Sequence, residues 1–412
     1  MIMEKKKNVL IIGNSISAIA TAQKLRAQVC VENIFVVGLP VCEEHGFKFI
    51  DIREDKAEEL LSFALENSID LTIVVSKKAL KADVAGVFSA NGQMVFAPDY
   101  DSSKHFIDSA MTKKFLYKLK IPTSKFGVFE KQQLALDYLK TANFPLVIKA
   151  SEASSERDLF ACPTISVANI AINDLFFKAE NKVVIEEFVN GHNFNFYVVT
   201  DGYMALPLGI VTSYKFSDEV NGGYLTLGSG AIAPDFKISS ELQDKLMKDV
   251  VNRVLTSLES CGTPYVGILG FNCVLKDEKI YVQAIEPFFS DVDAPVVFNT
   301  LNENLFELFN ACAMGVFADD YEDIKVNDLS ALAVSIFSRY ENKEICGVES
   351  LDNPENLFLF SDIKGDKKYT KKGCIGVICA NASTLGRAKA NLRDEIELIK
   401  FDGKKYRLDI LN

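Results

Sequence analysis

Four short apolar runs punctuate the first hundred residues, and they constrain the fold more than any other feature of the chain. They are Asn8–Ile12 (N-V-L-I-I), closed by Gly13, then Asn33–Val37, Leu71–Val75 (L-T-I-V-V) and Met94–Ala97, closed by Pro98. Helical patterns lie between them, at Ser17–Gln28 and Asp55–Asn67. Strands that read as unbroken apolar runs are buried on both faces, and their alternation with helices makes the sheet parallel. The opening of the chain is therefore expected to be a covered α/β unit.

The pattern changes further along. Asp99–Lys120 reads as a helical connector ending at Ile121-Pro122. Leu146–Ala150 and Val183–Phe188 read as strands, with Gly191 as a turn after the second. Phe196–Thr200 meets Asp201-Gly202, a tight-turn dipeptide that predicts a hairpin into Tyr203–Leu208. Asn221–Gly230, rich in glycine and polar residues, reads as a loop, and Ser240–Ser260 as a helix. Ile280–Ile285 is a strand that ends in Glu286. Beyond Leu329, the runs Ala331–Phe337 and Cys374–Cys379 and the helix Ser383–Arg393 predict a small terminal α+β domain.

Composition narrows the partners. The net charge of −11 argues against nucleic acid, whose phosphates favour basic surfaces. Three histidines and nine cysteines, with no C-x-x-C pair, argue against a His- or Cys-based metal site and for reduced thiols in a cytoplasm. No apolar stretch approaches the ~18 residues of a membrane span, and the lysine run at the start precedes no leader-like apolar region. Neither a membrane nor a nucleic acid is an expected partner. With 412 residues the chain has room for two to four domains of roughly 100–200 residues each.

At V-I-K-A (Val147–Ala150) and V-I-E-E-F-V-N-G (Val184–Gly191) the order of residues resembles an ATP-grasp nucleotide site. The resemblance extends along the chain to the phosphoribosylamine–glycine ligases. N-V-L-I-I-G-N at 8–14, I-D-L-T-I-V at 69–74 and T-K-K-F-L-Y-K-L-K-I-P-T at 112–123 are similar to that family's opening strand, a later strand and its connector. Segment 212–234 lies without a gap on its D-H-K-R…G-P-N-T-G-G-M-G-A…P loop and keeps Lys215, Gly223, Thr226, Gly228, Gly230, Ala231 and Pro234. Gly373–Arg393 is similar to its last domain. The resemblance implies an α/β and α+β chain: an N-terminal parallel-sheet domain (1–100), a connector (101–125), an ATP-grasp lid (126–198), a central grasp domain (199–325) and a small C-terminal domain (326–412).

It also implies a carbon–nitrogen ligase of purine biosynthesis that uses ATP and magnesium to join a carboxylate to an amine, both small molecules. Lys149 would face the phosphates, and Glu186, Glu187 and Phe188 would form the adenine hinge. Lys215 would lie in the nucleotide site, and Glu286 would hold the metal.

The departures from the family cluster where ligands would touch. The second metal ligand, an asparagine, is Phe288, which has no oxygen to offer. The lid loop A-G-K-G is Ser155-Glu156-Arg157-Asp158, whose carboxylates would repel a triphosphate. The acidic pair after the hinge is His192-Asn193, and the connector lysine aligns with Ser109, with Lys104 and Lys113 off register. G-G-R-E is Asn14-Ser15-Ile16-Ser17, and G-P-E is Val75-Ser76-Lys77. D-H-K-R survives only as Lys215, and R-x-G-D-P-E only as Asp293, with Asp291 and Asp293 standing as possible substitute metal ligands. The expectation is a ligase of this type with impaired or altered activity. The alternative is a catalytically inactive ATP-grasp protein that binds a nucleotide or a protein partner. G-N-S-I-S-A at Gly13 lacks the second and third glycines of a dinucleotide fingerprint.

Overall fold

Parallel strands do build the first unit. In this computed structural model, which describes residues 6–38, 43, 45–152, 158–178, 182–219, 222–364 and 367–412, the opening elements are β1 (Lys7–Ile12), α1 (Ile16–Arg26), β2 (Val31–Val37), β3 (Lys48–Ile50), α2 (Ala57–Glu66), β4 (Leu71–Val74), α3 (Lys77–Lys81), α4 (Val84–Ala90) and β5 (Val95–Phe96). The sheet runs β3-β2-β1-β4-β5, with every pairing parallel. Val9 and Ile11 of β1 join one core that includes α1, and Leu10 and Ile12 join another that includes α2 and α4. Both faces are thus covered, which is why the run carries no polar alternation. β3 is an additional edge strand of three residues, too short to leave a periodic signal.

The order leaves β1 between β2 and β4. Chain direction over the sheet reverses there, so the loops after β1 and β4 diverge and open a crevice at the carboxyl ends of the strands. Asn14–Ser15 and Val75–Ser76 form its lips.

The connector is two helices, α5 (Tyr100–Ile107) and α6 (Ser109–Lys118). The break falls at Asp108, which caps α6 by accepting from Met111 N at 2.9 Å and receives the Ser151 hydroxyl at 2.6 Å. Next come β6 (Phe126–Phe129), α7 (Gln132–Leu139), β7 (Leu146–Ala150), β8 (Leu159–Cys162), α8 (Ile165–Phe177) and β9 (Val183–Glu187). They form an antiparallel sheet in the order β6-β9-β7-β8, whose core includes residues of α7 and α8. Glu156 and Arg157 of the lid loop lie outside the described residues.

The large sheet starts with β10 (His192–Asp201), β11 (Ala205–Asp218) and β12 (Gly222–Ala233). The helices α9 (Ser240–Leu246) and α10 (Asn252–Ser260) follow, joined by a π turn at Met247–Val251. β13 (Val266–Lys276), β14 (Lys279–Glu286), α11 (Asp293–Thr300), α12 (Leu305–Met314) and α13 (Phe317–Asp320) complete this part. The tail holds β15 (Ser330–Ser338), β16 (Glu344–Ile345), β17 (Leu357–Leu359), β18 (Asp362–Lys364), β19 (Lys367–Tyr369), β20 (Gly373–Ala382), α14 (Leu385–Leu398) and β21 (Lys404–Lys405). The large sheet runs β14-β13-β10-β11-β12-β15-β20-β17, with β21 also on β15, so the tail extends it, while β16, β19 and β18 make a small sheet of their own.

One expectation fails here. The segment read as a loop, Asn221–Gly230, is strand from Gly222 onward, between β11 and β15. Its glycines answer crowding. A Cβ on Gly230 would meet Ile410 Cδ1 at 2.3 Å and the Ala333 carbonyl at 3.0 Å, and one on Gly228 would meet Val292 Cγ1 at 2.6 Å. Glycine inside a strand marks close approach of a neighbour as readily as a turn.

The crevice rests on a similar contact. A Cβ on Gly13 would lie 2.5 Å from Val75 Cγ2 and 3.0 Å from the Val75 carbonyl, where β1 and β4 end side by side. Gly13→Ala must push these loop starts apart, and overpacking of this kind costs about 1–3 kcal/mol. Urea unfolding of Gly13→Ala should show a lowered midpoint with an unchanged slope. An unshifted midpoint would mean that the two loops are free to separate.

Candidate functional site

Two of the expected nucleotide residues, Lys149 and Glu186, meet in the interior. Lys149 on β7 and Glu186 on β9 project from neighbouring antiparallel strands, with Lys149 Nζ 2.8 Å from Glu186 Oε1. Lys113, from α6, reaches the other oxygen, Oε2, at 2.5 Å. Its ammonium also donates to Thr123 Oγ1 at 2.8 Å, Ser124 Oγ at 2.9 Å and Gln283 Oε1 of β14 at 3.3 Å. Ser124 donates in turn to Glu186 Oε2 at 2.7 Å. The side chain of Lys113 is fully buried and that of Glu186 is 5% exposed. Burial alone would push the Glu186 pKa up, but the Lys113 and Lys149 ammonium groups outweigh it and hold the carboxyl down at about 2. Burial pulls Lys113 down to about 8 against the attraction of Glu186.

Sequence comparison alone set Lys113 aside as off register. The signal was its position: it shares a helix face with Ala110, Thr112, Phe115 and Leu116, all buried. A lysine on the apolar face of a helix requires a partner.

The rest of the hinge is more open. Glu187 pairs with Lys125 at 3.3 Å on the surface. Phe188 donates its backbone N–H to Pro145 O at 3.2 Å, and its ring meets Phe216 edge-on at 6.2 Å. His192, where an acidic residue was expected, bonds through Nε2 to Asp235 Oδ2 at 2.5 Å.

Lys215 of β11 is partly buried, and no carboxylate among the described residues lies within ion-pair distance of it. Burial lowers its pKa, while Asp293 and Glu286, both near, oppose the shift. Asp293 is fully buried at the start of α11. Its Oδ2 accepts from Asn195 Nδ2 at 2.5 Å and Tyr197 Oη at 2.6 Å. Its Oδ1 and Asn195 Oδ1 find no partner among the described residues. Asn195 and Tyr197 escaped the sequence reading, although an asparagine inside the apolar run F-N-F-Y was a visible signal.

At the crevice two charges cross from the large sheet to the parallel sheet. Glu286 ends β14 beside Lys77, which opens α3, with Nζ to Oε2 at 3.0 Å. Asp291 accepts from the Ser17 backbone N–H at 3.0 Å, and from that of Ile16, at the N-terminus of α1. Burial raises its pKa to about 6 against those two bonds.

These engagements bear on the magnesium expected at Glu286. Mg²⁺ requires oxygen ligands in a near-octahedral shell. Glu286 is paired with an ammonium, and Phe288 packs into the apolar clusters of the N-terminal unit. Asp291 caps a helix, and Asp293 is held through Oδ2 by Asn195 and Tyr197, its Oδ1 remaining without a partner among the described residues. Among the described residues no group of three or more His, Cys, Asp or Glu side chains could hold a metal ion. At Glu286, whose carboxylate is paired and whose neighbour Phe288 offers no oxygen, the donor set does not fit Mg²⁺.

Comparison with known proteins agrees with this architecture. Residues 7–104 match the phosphoribosylglycinamide synthetase N domain, and residues 103–294 match the phosphoribosylglycinamide synthetase ATP-grasp (A) domain. The phosphoribosylamine–glycine ligase of Clostridium acetobutylicum is 27% identical over 98% of this chain and 99% of its own. That of Allochromatium vinosum is 30% identical over 66% of this chain and 68% of its own. The solved phosphoribosylamine–glycine ligase of Thermotoga maritima superposes with a TM-score of 0.79 at 20% identity, covering 98% of this chain and 99% of that one.

Glu186 is the residue whose loss should tell most. Glu186→Gln leaves Lys113 and Lys149 without their shared counter-charge, and an uncompensated buried charge costs about 3–5 kcal/mol. Chemical denaturation should register a loss of that order. The pH dependence has a definite sign. The folded pKa lies below the unfolded one, so the wild-type contribution is complete above about pH 4.5 and drains away as pH falls toward about 2. Glu186→Gln should lack that acid component. Equal stability of the two proteins at pH 7 would mean that the cluster carries no net load.

Proposed function

The chain belongs to the phosphoribosylglycinamide synthetase family of ATP-grasp enzymes, the phosphoribosylamine–glycine ligases, and from that premise we propose that it holds ATP along Lys149 and the Glu186–Phe188 hinge while its carboxylate–amine ligation is impaired.

The nucleotide half of the reading is supported by the retained wall. Lys149 and Lys113 together carry one positive charge more than Glu186 balances. A charge held in place in a poorly solvated wall attracts phosphate oxygens more strongly than a mobile surface lysine does. Beside it the Glu187–Phe188 backbone would offer carbonyl acceptors, since its two N–H groups are already bonded to Lys125 O and Pro145 O. Lys215 adds a cation that no carboxylate among the described residues neutralises at contact distance.

The impairment is carried by one observation, the Asp291 carboxylate on the N-terminus of α1. Free N–H groups and the helix dipole make such an end a natural seat for a phosphate. Here an internal anion already accepts from Ser17 and Ile16. Ser15, Ser17, Lys77 and Ser290, standing where the family has its polar signatures, offer no guanidinium, and serine replaces neither the charge nor the two-pronged geometry of arginine. The substrates remain an amine and a carboxylate of small size, with phosphoribosylamine bound weakly or not at all.

The chain's own residues then have limited roles. Lys149 and Lys215 offset phosphate charge, the hinge orients the base, and Asp293 fixes Asn195 and Tyr197. No step runs through a metal. We assign the protein to the cytoplasm, as free thiols suggest: each of the eight cysteines among the described residues is unbridged. Among those residues no helix is long and apolar enough to cross a membrane.

Purified protein supplied with glycine, phosphoribosylamine and MgATP should release ADP well below roughly 1 per second, the lower edge of ordinary enzyme turnover. A rate above that would refute the impairment. Asp291→Ala should raise calorimetric affinity for glycinamide ribonucleotide about tenfold, the scale of a helix-end charge effect of up to ~2 kcal/mol. No gain would mean that α1 does not receive the phosphate.

A further inference from the structure

The Lys77–Glu286 pair has a consequence beyond the absence of a metal shell. Lys77 stands three residues past the end of β4, and its main chain is fixed. Val75 N bonds Ile12 O at 2.9 Å, and Ser76 caps α3 by accepting from Ala79 N. The ammonium therefore stands on the lip of the crevice with little freedom in its base. Glu286 reaches it from the end of β14, the strand whose Gln283 accepts from Lys113 of the buried cluster. One strand thus joins the Lys149 wall to the Lys77 contact.

The charges decide what this corner accepts. A bare Glu286 carboxylate would repel the oxygens of a polyphosphate. A divalent cation between them would remove that repulsion, and Lys77 removes it by direct pairing at 3.0 Å. Lys215, near enough for Glu286 to influence it electrostatically and unpaired among the described residues, adds a second cation beside the first. A divalent ion arriving at Glu286 would have to displace one ammonium and sit near another. Phe288, the next candidate position, offers no oxygen and is packed among apolar side chains.

We propose that the Lys77 ammonium occupies the cation position at Glu286, so that this chain takes the polyphosphate of an adenine nucleotide without a divalent metal. The proposal rests on the nucleotide-binding reading above for its ligand, but its claim about Glu286 stands separately. Lys77 is a positioning and neutralising residue here, with no bond made or broken at it.

Two measurements test it, and they fail separately. The first uses Mn²⁺ alone, followed by electron paramagnetic resonance. Wild-type protein should leave Mn²⁺ free at concentrations where Lys77→Glu, with carboxylates at both 77 and 286, binds it at least tenfold more tightly. Stoichiometric Mn²⁺ on wild type that is lost in Glu286→Gln would overturn the proposal whether or not nucleotide binds. The second is calorimetry with ATP, in EDTA and in excess Mg²⁺. Wild-type affinity should differ less than threefold between the two conditions. Lys77→Met should lose about tenfold in EDTA, and Lys77→Met combined with Glu286→Gln should regain it, because the uncovered carboxylate is then gone. That recovery separates neutralisation from misfolding. Wild-type binding that collapses in EDTA would overturn the proposal. ATP binding absent under both conditions would sink the nucleotide-binding reading and this proposal's ligand with it, leaving the Mn²⁺ result to judge the Lys77–Glu286 assignment.

Discussion

Glu186 lies between two lysines in the interior, and the geometry of the site depends on that arrangement. Glu186 pairs with Lys149 of β7 and Lys113 of α6, and Lys113 donates on to Gln283 of β14, so the cluster ties the small antiparallel sheet, the connector and the large sheet together. A buried ion pair gives little net stability, because desolvation offsets most of its attraction. What it does give is registry. With Lys113 fully buried, any slip of α6 would strand an ammonium in an apolar interior. The two walls are therefore fixed relative to each other before any ligand arrives.

The same logic governs the crevice of the parallel sheet. A doubly wound sheet leaves a ligand crevice where strand order reverses. In this chain side chains of the 286–291 segment enter that crevice, Glu286 meeting Lys77 and Asp291 meeting the start of α1. An internal cation and an internal anion stand where a metal and a phosphate would be favoured. The fold is that of its family, and the charge arrangement at its mouth is this chain's own.

Much of this was legible in the sequence, for reasons that differ by element. The strands of the N-terminal sheet were readable because burial on both faces makes an apolar run. β3 was not, since three half-exposed residues carry no period. β12 read as a loop because its glycines look like turn residues when the neighbours that demand them, Ile410 and Val292, are remote in sequence. Lys149 and Glu186 stood in a recognisable order, yet their contact with Lys113 depends on a helix packing that spacing does not encode. Asp291 and Asp293 were open as substitute metal ligands. Only three-dimensional contacts reveal that one caps α1 and the other holds Asn195 and Tyr197. Charges can be counted along a chain, but partners are set by topology.

The central claim is that Glu286 is committed to Lys77. It is tested most directly by anomalous diffraction from crystals of the wild-type protein grown with ATP and Mn²⁺. The account predicts no manganese peak at Glu286 and a Lys77 ammonium still within ion-pair distance of its carboxylate. A manganese peak coordinated by Glu286, with Lys77 swung away, would contradict it.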